Sequence, residues 1–181
     1  MSLKTKLLLV VTIILSGAGC QSYEPIRTMS YVDLTRFAGD WYVLASIPTF
    51  IEKEAYAAVE SYSEPVNGRV ATTFRFRKGG FDGPEKVYNP TGFVREDTGN
   101  AVWGMQFIWP VKAEYRILYV DDDYRFSIVG RSKRDYVWIM ARSADVSEAD
   151  YEALISIVEA EGYNLSQLRR VPHPEVDRIA G

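Results

Sequence analysis

Between residues 41 and 142 apolar side chains recur at spacing two, in short runs broken by turn residues, which is the period of half-buried strands and not of helices. Phe74 and Phe76 alternate with Thr73, Arg75 and Arg77, giving one aromatic and one cationic face, and Trp103, Met105, Phe107 and Trp109 make a second stripe of the same period. The pattern predicts strands at 41–45, 57–63, 70–77, 87–94, 101–109, 115–120, 124–130 and 136–142. Asn67-Gly68, Gly79-Gly80, Thr98-Gly99-Asn100 and Asp121-Asp122-Asp123 separate them with turn chemistry at hairpin spacing. An all-β, antiparallel up-and-down meander follows. Closing about eight such strands into a barrel removes the exposed edges and leaves an interior that is either filled by side chains or able to hold one small ligand.

The period changes at both flanks. Asp33 reads as the cap of a short helical turn through Phe37, and Ser147 as the cap of a longer helix with Tyr151, Leu154, Ile155 and Val158 on one face, ending near Gly162. That C-terminal α-helix is expected to pack on the outer barrel wall, followed by one more short strand or extended segment at 165–171. Near the N-terminus, Lys4 and Lys6 precede an apolar run at 7–15 that is too short to span a bilayer but suits an export signal. Small residues then lead into Cys20. The stretch resembles a lipobox, with Gly17 where Leu or Val is usual; an ordinary secretory signal is the alternative. By that resemblance the chain is cut before Cys20 and lipidated there, and Gln21 in the sorting position directs it to the outer membrane with the barrel in the periplasm. The expected division is a signal peptide at 1–19, a lipidated tether at 20–30, one domain at 31–172 and a polar tail at 173–181.

Composition narrows the chemistry. A net charge of −3 with 25% charged residues offers no polycationic surface, so nucleic acid is not an expected partner. The 13% aromatic content agrees with strands. A single Cys excludes an intrachain disulfide or a thiolate metal cluster, and the single His, His173, lies between Pro172 and Pro174, a poor base for a catalytic triad or a metal site. Asp121, Asp122 and Asp123 are adjacent and lack the alternate spacing of a calcium loop. No enzyme activity, metal or cofactor is expected.

Gly39-Asp40-Trp41-Tyr42 at the head of the first strand, Tyr119-Val120-Asp121-Asp122-Asp123-Tyr124 at a later turn and Trp138-Ile139-Met140-Ala141-Arg142 at the end of the last strand occur in the order and spacing of the three lipocalin signatures. The chain thereby resembles the lipocalin family, most of all its bacterial outer-membrane lipoproteins and their apolipoprotein D-like relatives, over roughly 31–172. The resemblance implies that Gly39, Trp41 and Arg142 are structural, the guanidinium of Arg142 covering the Trp41 indole at the narrow end, a contact worth about 0.5–2 kcal/mol. It also implies a carrier of a lysophospholipid or fatty acid for membrane maintenance, attached to the outer membrane through Cys20, with a second copy of the chain as a further candidate partner. Alternation combined with the resemblance points Tyr62, Phe74, Phe76, Met105, Phe107, Trp109 and Leu118 inward as ligand contacts. Arg116, in phase with Leu118, is either inward with Glu60 or a ligand anion as its partner, or turned outward by twist or a bulge. The competing expectation is an envelope scaffold whose barrel is packed shut by the same rings.

Overall fold

The computed structural model describes residues 25–174. A one-turn helix, α1 (Leu34–Phe37), leads into β1 (Gly39–Ile47), β2 (Ala55–Tyr62), β3 (Arg69–Lys78), β4 (Glu85–Tyr88), β5 (Thr91–Arg95), β6 (Val102–Ile108), β7 (Val111–Val120), β8 (Phe126–Gly130) and β9 (Val137–Ala141). The helix α2 (Glu148–Ala160) and a two-residue strand β10 (Arg169–Arg170) complete the order. Each strand pairs antiparallel with its neighbour, and β1 also pairs with β9, Tyr42 opposite Ala141 and Ile47 opposite Val137, which closes an eight-stranded barrel.

The expected strand at 87–94 is broken in two. Tyr88 pairs with Phe74 towards one end of β3, Gly92 pairs with Val70 towards the other, and Asn89-Pro90 lies between. Proline has no N–H for the ladder, so the pairing must lapse there; the Pro90 carbonyl still accepts from the Thr72 amide at 3.0 Å. Together β4 and β5 act as one stave. Gly92 is needed for packing, since a Cβ there would meet Cε3 of Trp103 at 2.8 Å.

Asp33 and Ser147 cap the two helices as expected, the Asp33 carboxylate accepting from the Thr35 and Arg36 amides and the Ser147 hydroxyl from the Asp150 amide. Tyr151, Leu154 and Val158 of α2 are buried against the outside of the barrel with Leu44, Leu118, Ile128 and Ile139, each worth about 1.5–3 kcal/mol in apolar burial. The hydrophobic material therefore forms two layers, one inside the barrel and one between wall and helix.

The described part of the 20–30 segment lies against the barrel. Ile26 is buried in the helix layer, the Met29 amide donates to the Ile117 carbonyl at 3.0 Å, and Val32 donates to Gly99 at 2.8 Å. His173, expected in a polar tail, is half-buried: its Nε2 lies 2.8 Å from the Val43 carbonyl and its ring meets the edge of Tyr42.

Candidate functional site

The narrow end of the barrel is sealed. Trp41 is fully buried, its Nε1 donates to the Phe37 carbonyl at 2.8 Å, and the Arg142 guanidinium stacks 3.9 Å above its ring. Arg142 donates further to the carbonyls of Arg36, Phe37, Asp40 and Tyr124, thereby satisfying the C-terminal carbonyls of α1 as well as covering the indole. Gly39 has φ +99, a conformation that side chains disfavour, and a Cβ on it would press on Arg142 Nη1 at 3.2 Å. Close by, Arg36 sits 4.2 Å over the ring of Tyr124, whose hydroxyl accepts from the Asp33 amide.

The other end is open. A cavity of about 420 Å³ enters the barrel between the β1–β2 loop, the β6–β7 turn and the β8–β9 loop, within the size range of small-molecule sites. Phe74, Tyr88, Met105 and Trp138 line its wall, Phe50, Ile51, Phe107 and Ile108 its mouth, and Glu60, Thr72 and Tyr115 its inner part. Arg131 borders the mouth, and its Nε is buried with no hydrogen-bond partner among the described residues.

Phe74, Met105 and Phe107 line the cavity as the alternation predicts, Phe107 at the half-exposed mouth. Phe76 and Tyr62 point inward but lie behind the lining: Phe76 stacks on Tyr88, and Tyr62 sits under the floor between Phe37 and Trp103. Three expected contacts are elsewhere. Trp109 is 83% exposed in the β6–β7 turn, where the strand and its alternation have ended. Leu118 is buried beneath α2, and Arg116 pairs with Glu114 at 2.7 Å, neither of them lining the cavity. On β7 the inward residues are Tyr115 and Ile117, the opposite phase. The inverted assignment has a physical cause, for α2 covers this side of the barrel and makes β7 apolar on both faces.

Two carboxylates also line the cavity: Glu60, which strand phase offers only as a partner for Arg116, and Glu52, which the sequence does not single out. The Tyr62 hydroxyl donates to Glu60 and shares a 2.6 Å hydrogen bond with the Tyr115 hydroxyl. Glu52 accepts from Trp138 Nε1 at 3.0 Å and from the Thr49 amide at 2.9 Å. Burial pushes the Glu60 carboxyl up to about 7, only partly opposed by Tyr62 and reinforced by the charge of Glu52, and burial raises Glu52 as well.

A carboxyl that titrates higher in the folded than in the unfolded chain favours folding at low pH, and its stabilisation is lost as pH rises from the unfolded value through the folded one. Stability is therefore expected to fall between about pH 4.5 and about pH 7 on account of Glu60. Glu60→Gln should flatten that part of the profile and raise the melting temperature relative to the parent at pH 8, read by thermal unfolding across pH. Parallel profiles for the two proteins would contradict the assignment.

A capped, closed antiparallel barrel with an open apolar cavity and a helix on its wall is the lipocalin architecture, and the chain belongs to the lipocalin family, whose lipocalin-like domain model matches residues 32–173. Temperature-induced lipocalin-1 of Arabidopsis thaliana is 27% identical over 164 residues, covering 84% of this chain and 85% of that protein. Outer membrane lipoprotein Blc of Escherichia coli K12 is 25% identical over 168 residues, covering 86% of this chain and 89% of Blc. Among solved structures, insecticyanin from the tobacco hornworm Manduca sexta superposes with a TM-score of 0.67 at 15% identity, over 84% of this chain and 86% of its own.

Proposed function

We propose that this lipocalin is an outer-membrane lipoprotein that takes up a single-chain amphiphile, a lysophospholipid or fatty acid, for membrane maintenance, with the acyl chain in the barrel and the head at the mouth. The cavity itself carries this reading: it is open at one end, walled by Phe74, Tyr88, Met105 and Trp138, and bordered at its mouth by Arg131. Burying about eight methylenes at roughly 0.8 kcal/mol each offers some 6 kcal/mol before the cost of association, so micromolar binding, which needs about 8 kcal/mol net, requires a longer buried chain together with contacts to the head at the mouth. Arg131, 3.5 Å from Asp135 and about one-fifth exposed, places a guanidinium at the mouth, where it can attract a carboxylate or phosphate head. Arg131, and not Arg116, is thus the cation placed to meet the ligand anion. At the inner end, burial keeps Glu60, which accepts from Tyr62, in its neutral form to higher pH than a free carboxyl, and a neutral carboxyl tolerates a neighbouring methyl terminus better than a carboxylate does. An open cavity of this size favours the carrier over a scaffold with a packed barrel.

For the envelope role the support is the lipobox-like sequence ending at Cys20, which lies outside the described residues, and the likeness to Blc, named an outer membrane lipoprotein. One experiment tests both halves. Native mass spectrometry of the protein extracted from its own membrane should show acyl groups on the Cys20 peptide and a non-covalent adduct of amphiphile mass. An unmodified Cys20 in the membrane-extracted protein would sink the anchor; a chain free of adduct that also takes up none when lipid is added would sink the carrier.

A further inference from the structure

Large apolar side chains are exposed at one end of this barrel, on three separate loops around the mouth. Phe50 in the β1–β2 loop is 83% exposed, Ile108 and Trp109 at the β6–β7 turn are 75% and 83% exposed, Val111 beside them is 67% exposed, and Phe81 in the β3–β4 loop is 45% exposed. Among the described residues, only Phe81 of these has a ring contact, with Tyr56 at 5.4 Å. A rim of this kind, on a chain whose other large apolar side chains are mostly buried in two layers, marks a contact surface.

The path of the N-terminal segment bears on what the rim touches. Going backwards from Val32, held by Gly99 at the closed end, the chain passes the Ile117 carbonyl at Met29 and reaches Glu161, which takes the Arg27 amide at 3.2 Å and its Nε at 2.6 Å. The carbonyl of the same Glu161 accepts from Arg134 in the β8–β9 loop, on the mouth side of the barrel. The chain therefore climbs the wall towards the mouth as it runs back towards its N-terminus. Cys20 precedes Arg27 by seven residues, a reach of up to about 25 Å. The β6–β7 turn projects five residues beyond Arg116, the partner of Gly130 at the top of β8, or about 17 Å. The reach exceeds the projection.

From the exposed rim and the path of the N-terminal segment we infer that the barrel sits mouth-down on a lipid bilayer, with Phe50, Phe81, Ile108 and Trp109 inserted at the headgroup level, so that ligand passes between bilayer and cavity without crossing water. The tether half of this inference rests on the lipid anchor proposed above; the rim half does not. A bilayer suits the rim better than a second protein surface does. Its apolar tips stand on three loops around an opening, which a fluid layer accepts without matched pockets, and an indole among them is at home at the membrane interface. Lys53, Glu54 and Asp82 on the same loops, and Lys78 at the end of β3, 3.9 Å from Glu54, are of mixed sign, while the β8–β9 loop carries Arg131, Lys133 and Arg134 against Asp135, so the apolar tips can seat on a zwitterionic surface with a modest cationic excess at one side.

The test is quenching of Trp109 on vesicles of phosphatidylcholine and phosphatidylethanolamine carrying brominated acyl chains, using the full protein extracted from membranes and its Trp109→Phe variant, whose difference isolates that indole. Trp109 is expected to be quenched by the brominated lipid and shielded from aqueous iodide. On vesicle-bound protein with acylated Cys20, iodide-accessible Trp109 untouched by bromine would overturn the inference while leaving the anchor standing. If Cys20 proves unmodified, the rim is asked directly: Phe50→Glu with Trp109→Glu should lower vesicle partitioning by about tenfold or more, and equal partitioning by parent and variant, or none by either, overturns it. Self-association of the parent, abolished by the same pair of substitutions and with no quenching by lipid, would assign the rim to a second copy instead.

Discussion

Trp41→Ala is expected to lower the unfolding free energy by about 3–5 kcal/mol, because it removes the fully buried ring at the closed end and leaves a hole that rigid neighbours cannot fill. The surroundings are fixed from three sides: Phe37 packs on the indole at 5.1 Å, its carbonyl takes the indole N–H, and Arg142 covers the outer face. Arg142→Ala should cost less, about 1.5–3 kcal/mol, since the carbonyls it serves lie nearer to water. Arg142→Lys should rescue little of that loss, because an ammonium cannot both stack on the ring and reach the carbonyls of Arg36 and Asp40. In a double-mutant cycle by denaturant unfolding the pair should couple by about 0.5–2 kcal/mol. Strict additivity would contradict the stacked geometry.

The second large effect concerns the cavity. Ala113 lines it near the mouth and stands opposite Met105 across the β6–β7 pair. A Trp at this position adds bulk where there is space, so the fold should survive while the ligand loses room for three or four methylenes, a loss of about 100-fold or more in affinity. Leu118→Ala is the matched control: it opens the layer beneath α2 and should lower stability without changing affinity. Arg131→Leu should weaken anionic amphiphiles more than neutral ones of equal length. Titration of tryptophan fluorescence reads all three, with Trp138 in the cavity wall as reporter. Full affinity in Ala113→Trp would place the ligand outside the barrel.

Much of this was legible in the chain because each barrel strand carries its own instruction. Where only one face of a strand is buried, as in β3 with Phe74 and Phe76 against Arg75 and Arg77, alternation assigned the interior correctly. It failed where both faces are covered. Leu118 and Ile117 are equally apolar on β7, one under the helix and one inside the barrel, and a period of two cannot choose between them. It failed again past strand ends, where Trp109 continues the stripe in sequence but not in space. Capping residues and signature turns held because their chemistry is local, whereas Glu52 and Glu60 escaped because a carboxylate in an apolar-walled cavity runs against the pattern that locates the cavity. Proline at position 90 could have warned that one stave would be split.

An open receptor for an acyl chain must sense the length of that chain, and a series of lengths asks this of the barrel. Protein stripped of co-purified lipid is titrated with fatty acids and lysophospholipids of increasing length, following tryptophan fluorescence. Affinity should rise by about tenfold for every two methylenes until the cavity is full and then level off, since each buried methylene contributes roughly 0.8 kcal/mol. Binding that does not depend on chain length, or no binding by a protein shown to be folded, would contradict it.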